Sequence, residues 1–230
     1  MSERIWNILV EGFVKIMLAS IKVTIPLTVL GFSFAMIIAM FMALVQYAKV
    51  PVLRQLSRLY IWIFRGTPLL VQLYLAYFGL PKIGIVLNSF LCAVVVFSLN
   101  EGAYCAEIMR SALEAVPEGQ MEAGYCVGMN YLQIMRHVVI PQALRTAFPP
   151  LSNSVIAMLK DTSLVAEITV ADMFMAAQKI VGRTYEPLWL YCEVALIYLF
   201  FSTILTFVQR YFEKRLSAYN SRETEVRTQE

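Results

Sequence analysis

The fold class predicted by this 230-residue sequence is an all-α integral membrane protein with five transmembrane helices, N-terminus outside and C-terminus cytoplasmic. Three observations lead there. Hydrophobic residues reach 59% and charged residues only 15%, against about 45–50% and 25% in soluble domains, and the mean hydropathy is +0.65. Uncharged runs long enough to cross a hydrocarbon layer of about 30 Å recur along the chain. Lysine and arginine are shared unequally between alternate connections, as the orientation of a multi-span protein requires.

The elements follow in order. Residues 1–22 form an amphipathic helix on the outer surface, with Ile5, Leu9, Phe13, Ile16 and Met17 at helical spacing and Glu11 and Lys15 elsewhere on the wheel; an N-terminal extension of the first span fits the same pattern. No cleavable signal is expected, because charge is mixed into this segment and the first apolar run is too long for a signal core. The membrane-embedded body, 23–212, holds span one at 23–48, uncharged throughout, and span two at 59–80, which contains Arg65, Gly66 and Pro68 and is expected to be broken or locally unwound. Span three covers 83–110 and turns polar at its far end; span four covers 147–169, opened by Pro149 and Pro150; span five covers 188–209. A connection of 35 residues, 111–145, joins spans three and four and carries Pro117, Gly119, Gly124, Gly128 and Pro141, far longer than an ordinary link. A glycine-hinged pair of short helices, around 119–127 and 129–137, is expected in it, offering Glu122 and Gly128 to a partner. The tail, 213–230, is cytoplasmic and ends polar and frayed.

With the first loop cytoplasmic, that side holds eleven Lys and Arg and the outer side six, while Arg65 and Lys160 lie within spans. Net charge is only +3 and dispersed, which argues against a nucleic-acid partner. Cys92, Cys105, Cys126 and Cys192 match no CxxC or zinc spacing and read as reduced packing residues, as do Met36, Met40 and Met42.

Ionisable groups at lipid depth cost about 2.5–3.5 kcal/mol or more each, so they face a bundle interior, a partner or water. The candidates are Arg65, Glu101, Glu107, Lys160, Asp161, Glu167 and Glu193. Asn100, Tyr104 and Glu107 share one helical face, and Lys160, Ser163 and Glu167 share another. These two stripes could line one cavity bearing both signs of charge. The competing reading makes Lys160, Asp161 and the rest internal salt bridges, or makes Arg65 and Glu107 markers of span ends.

The long connection reads Glu122-Ala123-Gly124, three residues, Gly128, nine residues, then Val138-Val139-Ile140-Pro141. This resembles the signature loop of ABC importer permeases, with Gly124 in place of an alanine and Val138 and Ile140 as conservative departures. Arg65-Gly66-Thr67-Pro68-Leu69, Ala103-Tyr104 with Ala106-Glu107 and Arg110, Gly119-Gln120, and Lys160-Asp161-Thr162-Ser163-Leu164 are similar to the polar amino acid uptake subfamily (histidine, glutamine, arginine and cystine types). The resemblance implies a coupling-helix loop that meets an ABC ATPase through Gly119, Glu122, Ala123, Gly124, Gly128 and Pro141. It further implies a second, identical or similar permease subunit, an extracytoplasmic amino acid-binding protein, and a location in the cytoplasmic (inner) membrane. Arg65, Asn100, Glu101, Tyr104, Lys160, Asp161, Ser163 and Glu167 are the candidates for the substrate pathway. The chain contains no Gly-x4-Gly-Lys-Ser/Thr phosphate loop, so ATP and Mg belong to the ATPase, no cofactor or metal is expected in this chain, and it is not expected to be an enzyme. A self-contained secondary transporter or channel is the alternative, but no repeated halves are found.

Overall fold

The computed structural model describes residues 3–48 and 50–227, with side chains as far as 215. Lys49, one of the cytoplasmic charges of the sequence reading, lies outside the described residues. Those residues are helical with short connections and contain no strand. The helices are α1 Glu3–Ala19, α2 Ile25–Tyr47, α3 Pro51–Gly66, α4 Leu69–Tyr74, α5 Ser89–Glu114, α6 Glu118–Cys126, α7 Tyr131–Ile134, α8 Ile140–Asp161, α9 Met173–Thr184 and α10 Pro187–Arg227.

Three helical stretches are long and apolar enough to cross a membrane, Glu3–Tyr47, Ser89–Glu114 and Pro187–Arg215, and a fourth is obtained when the bent pair α3 and α4 counts as one span. Helix α8 has 22 residues but does not join that set, since Gln142, Arg145, Pro149, Pro150 and Asn153 interrupt its apolar run. Several expected boundaries shift. A π turn, Ser20–Thr24, carries α1 into α2 without a break, so Glu3–Tyr47 is one 45-residue helix with no boundary at Lys22. The third long helix starts at Ser89, not 83, because Gly84 takes a left-handed turn (φ 85°) and Asn88 caps the new helix by accepting from the Leu91 N–H at 2.7 Å. Helix α8 begins at Ile140, so Pro149 and Pro150 sit inside it, and its last turns tighten into a 3-10 segment, Thr162–Ile168. The tail expected to fray continues α10 to Arg227, and 228–230 lie outside the described residues.

Helix α2 packs along α5. Gly31, Ala35, Ala39 and Ala43, four residues apart, are all buried on one face of α2, and Ala39 and Ala43 share a core with Ala103 and Ala106 of α5. Small residues let the two backbones close up, which is how helices gain contact where lipid offers no hydrophobic drive. Ser98 Oγ of α5 donates to the Gly31 carbonyl at 3.2 Å across that seam.

Span two breaks at Thr67-Pro68, where α3 and the segment that follows it meet at 104°. Pro68 has no N–H and keeps its predecessor extended; Thr67 has ψ 143°. The break frees carbonyls at the end of α3. Gln72 Nε2 donates to Phe64 O at 2.9 Å and Thr67 O at 3.0 Å. Asn100 Nδ2 of α5 donates to Phe64 O at 3.2 Å and to Gln72 Oε1 at 3.1 Å. Both side chains are buried, so one amide pair supplies what water would have supplied.

Replacing Gln72 by Leu strands the Phe64 carbonyl on one side and the Asn100 amide in part, and each buried group left short costs about 1–3 kcal/mol. Gln72→Leu is therefore expected to lower the Tm of the detergent-solubilised protein, and Asn100→Leu to lower it less, since Gln72 still holds Phe64 O. Equal Tm for wild type and Gln72→Leu would show that the bend does not depend on this clamp.

Candidate functional site

The two expected polar stripes are built by α5 and by α8 with its 3-10 extension. Arg65, at the end of α3, lays its guanidinium carbon 5.3 Å from the ring centroid of Tyr104, and Arg65 also lies within electrostatic reach of Glu107. Glu107 and Glu114 are both paired with Arg110, so this end of α5 is a local charge cluster. Asn100, on the same face by sequence, is instead committed to the span-two bend. Glu101 accepts from the Cys105 thiol at 3.7 Å, Ser154 of α8 stands beside both, and Asp161 is within electrostatic reach of Glu101. Lys160, Asp161 and Glu167 are exposed and Ser163 half-buried. Neither Lys160 nor Asp161 makes a salt bridge among the described residues, although the two lie within electrostatic reach of each other.

Several neighbours of these residues carry no signal in the charge pattern. Tyr74 of α4 donates to Glu167 Oε2 at 3.1 Å, and the Tyr77 and Thr169 hydroxyls are 3.3 Å apart, so the second half of broken span two is tied to the end of the α8 stripe. Tyr198 of α10 stands beside Thr162 and Ser163. Gln72 could have been found as the single amide in an apolar run; the tyrosines look like ordinary membrane aromatics. Glu193 faces α1 instead: a Cβ at Gly12 would lie 3.0 Å from its Oε2. Asp172, between spans, caps α9 by accepting from the Met175 N–H at 2.8 Å, and burial pushes its carboxyl up to about 6.

The first expected short helix of the connecting loop is α6, whereas the second does not end near 137: α7 runs through a π turn, Met135–Val139, into α8 without a break. Gly128 takes φ 81°, a conformation that suits glycine. There the Gly128 N–H donates to Tyr125 O and the Met129 N–H to Gly124 O, both at 3.0 Å, which together satisfy the last carbonyls of α6. Asn130 and Gln133 then close a reciprocal cap at the start of α7, each bond 2.9 Å. Glu122 and Ala123 are exposed, Gly124 is buried against α7, and Gly119 has open space where a Cβ would point. Pro141 directly follows the π turn Met135–Val139 that leads from α7 into α8. The four cysteines are unpaired, Cys92 and Cys105 buried and Cys126 and Cys192 exposed.

The profile of a family described as "Binding-protein-dependent transport system inner membrane component" matches residues 31–218. The L-cystine transport system permease protein TcyB of Bacillus subtilis (strain 168) is 43% identical over 215 residues, covering 93% of this chain and 92% of that protein. The arginine transport system permease protein ArgU of Corynebacterium glutamicum is 37% identical, covering 86% and 67%. A crystal structure of an amino acid ABC transporter with histidines superposes with a TM-score of 0.79 at 33% identity, over 91% of this chain and 94% of that one.

A methyl group at Gly124 would lie 2.6 Å from Ile134 Cγ1 and 2.9 Å from its Cδ1, and overpacking of this kind costs about 1–3 kcal/mol. Gly124→Ala is expected to raise amide exchange across 118–139, and adding Ile134→Ala to restore protection. Unchanged exchange in the single variant would mean that α6 does not rely on this contact for its seat on α7.

Proposed function

This chain belongs to the family of binding-protein-dependent transport system inner membrane components, and from that membership we propose that it is the permease subunit of an ATP-driven importer of a polar amino acid. It works beside a second, identical or similar permease in the cytoplasmic membrane, N-terminus outside, and receives its substrate from an extracytoplasmic binding protein. Its identity to permeases named for cystine and arginine supports an amino acid as cargo. The observation that carries the coupling role is the loop: α6 presents Glu122 and Ala123 to solvent on a turn locked by Gly128, a rigid, exposed short helix suited to a groove on an ATPase. ATP and Mg are held there, in the partner, and this chain does no chemistry of its own.

Along the passage, Arg65, Glu101, Tyr104, Lys160, Asp161, Ser163 and Glu167 offer both charge signs and hydroxyls to an ammonium and a carboxylate. Lys160 and Asp161 follow 14 uncharged residues, 146–159, or roughly 21 Å of helix at 1.5 Å per residue. Their exposure on the single chain without an ion pair supports a lining role.

Uptake of a labelled amino acid panel, together with copurification of an ATPase subunit, tests the assignment; a chain that transports alone and without ATP contradicts it. Lys160→Met and Asp161→Asn are expected to lower uptake while leaving the ATPase bound, and the double variant to stay low, because the substrate's charges would still lack partners. Recovery in the double variant would instead mark a structural pair. For orientation, cysteine placed at 82 is expected to react with an impermeant thiol reagent on intact cells and cysteine at 54 only after permeabilisation. The opposite pattern inverts the topology.

A further inference from the structure

Glu167 lies on the 3-10 segment Thr162–Ile168 that ends span four, where Val165 and Ile168 are buried and Glu167 is exposed. It has no ion-pair partner among the described residues, and its one hydrogen bond there comes from the Tyr74 hydroxyl, 3.1 Å from Oε2. A neutral hydroxyl orients a carboxylate without cancelling its charge, so a carboxylate at membrane depth still calls for a cation. Oε1 is left for it.

Tyr74 is itself held in place. It closes α4, and the π turn Leu75–Gly79 follows. Phe78 stands edge-on to the rings of both Tyr74 and Tyr77, with centroids 5.6 and 4.9 Å away, and the Tyr77 hydroxyl meets that of Thr169 at 3.3 Å. Thr169 takes φ 65° in the turn that closes the 3-10 segment, where its N–H donates to Ala166 O and the Val170 N–H to Val165 O, both at 3.1 Å. Glycine is the usual occupant of such a position and a β-branched residue a rare one. The second half of span two and the end of span four are therefore joined at two points, two residues apart on one side and three on the other, and the rings carry the Tyr74 hydroxyl to one fixed place.

We propose that Tyr74 is a positioning residue for transport: it holds Glu167 by Oε2 so that Oε1 meets the ammonium group of the amino acid in the passage. A carboxylate fixed before the cargo arrives loses less freedom on meeting it than one that must be ordered at that moment. The inference rests on the importer assignment and on Glu167 lining the passage, and it adds a residue that no charge or motif marks.

Calorimetric binding to the purified permease–ATPase complex, free of binding protein, tests the proposal, with the probe being whichever amino acid of the uptake panel the wild type carries fastest. Tyr74→Phe removes only the hydroxyl and should weaken binding roughly fivefold, the scale of one hydrogen bond, with Tm and subunit association unchanged. Glu167→Gln should weaken it more, and Tyr74→Phe added to Glu167→Gln should cost nothing further, because the hydroxyl acts only through the carboxylate. Unchanged affinity in Tyr74→Phe, or losses that simply add in the double variant, would overturn the proposal. So would loss of a subunit in either single variant, since the cation opposite Glu167 would then belong to a neighbouring chain. A wild type that imports with ATP but binds no amino acid in this complex defeats the inference and leaves the importer assignment standing, whereas the expected binding pattern with uptake that ignores ATP removes that assignment and keeps the site.

Discussion

The constraint on which this architecture depends is the absence of water to satisfy broken backbone at membrane depth. Span two is interrupted at Thr67-Pro68, and the Phe64 and Thr67 carbonyls released there are met by the Gln72 amide, itself braced by Asn100 of α5. That network fixes α4 relative to α5 and thereby sets where Tyr74 reaches Glu167. A polar contact that looks peripheral to transport thus positions the second half of the span against the charged end of α8.

Close approach of helices supplies the rest. The Gly31, Ala35, Ala39 and Ala43 face lets α2 lie on α5, so dispersion contacts and the Ser98 hydroxyl do the work that hydrophobic exclusion does in water. Rigidity then continues into the connecting loop, where the Gly128 turn, the Asn130 cap and the Gly124–Ile134 contact hold two short helices in a fixed relation. The proposed coupling to an ATPase would draw on this stiffness, because a limp connection would absorb the displacement.

Much of this could be read from the sequence, and the misses have physical causes. Long uncharged runs reveal the membrane class, and glycine and proline spacing places the first loop helix within a residue of α6, whereas the second runs past 137 through Met135–Val139 into α8. Span two read as one broken element but not as two segments at 104°, since the angle depends on Gln72 and Asn100 meeting across 28 residues of chain. Helical spacing puts Asn100 in the polar stripe, because spacing fixes a face and not the partner met on that face. Gly124 read as a conservative change in a motif, whereas its lack of a side chain is what admits Ile134. The continuity of α1 with α2 was open in the sequence, because amphipathic periodicity fits a surface helix and an extension equally well.

The central claim is that the α5 and α8 stripes line a water-filled passage whose access is governed by the ATPase through the α6–α7 loop. The most direct measurement is the rate at which a charged thiol reagent modifies cysteine at position 163, with the four native cysteines replaced by serine, in transporter reconstituted with its ATPase. Modification is expected, at a rate that changes when ATP and vanadate trap the closed ATPase. A position 163 that never reacts, or that reacts at one rate in every nucleotide state, would contradict a gated passage at this site.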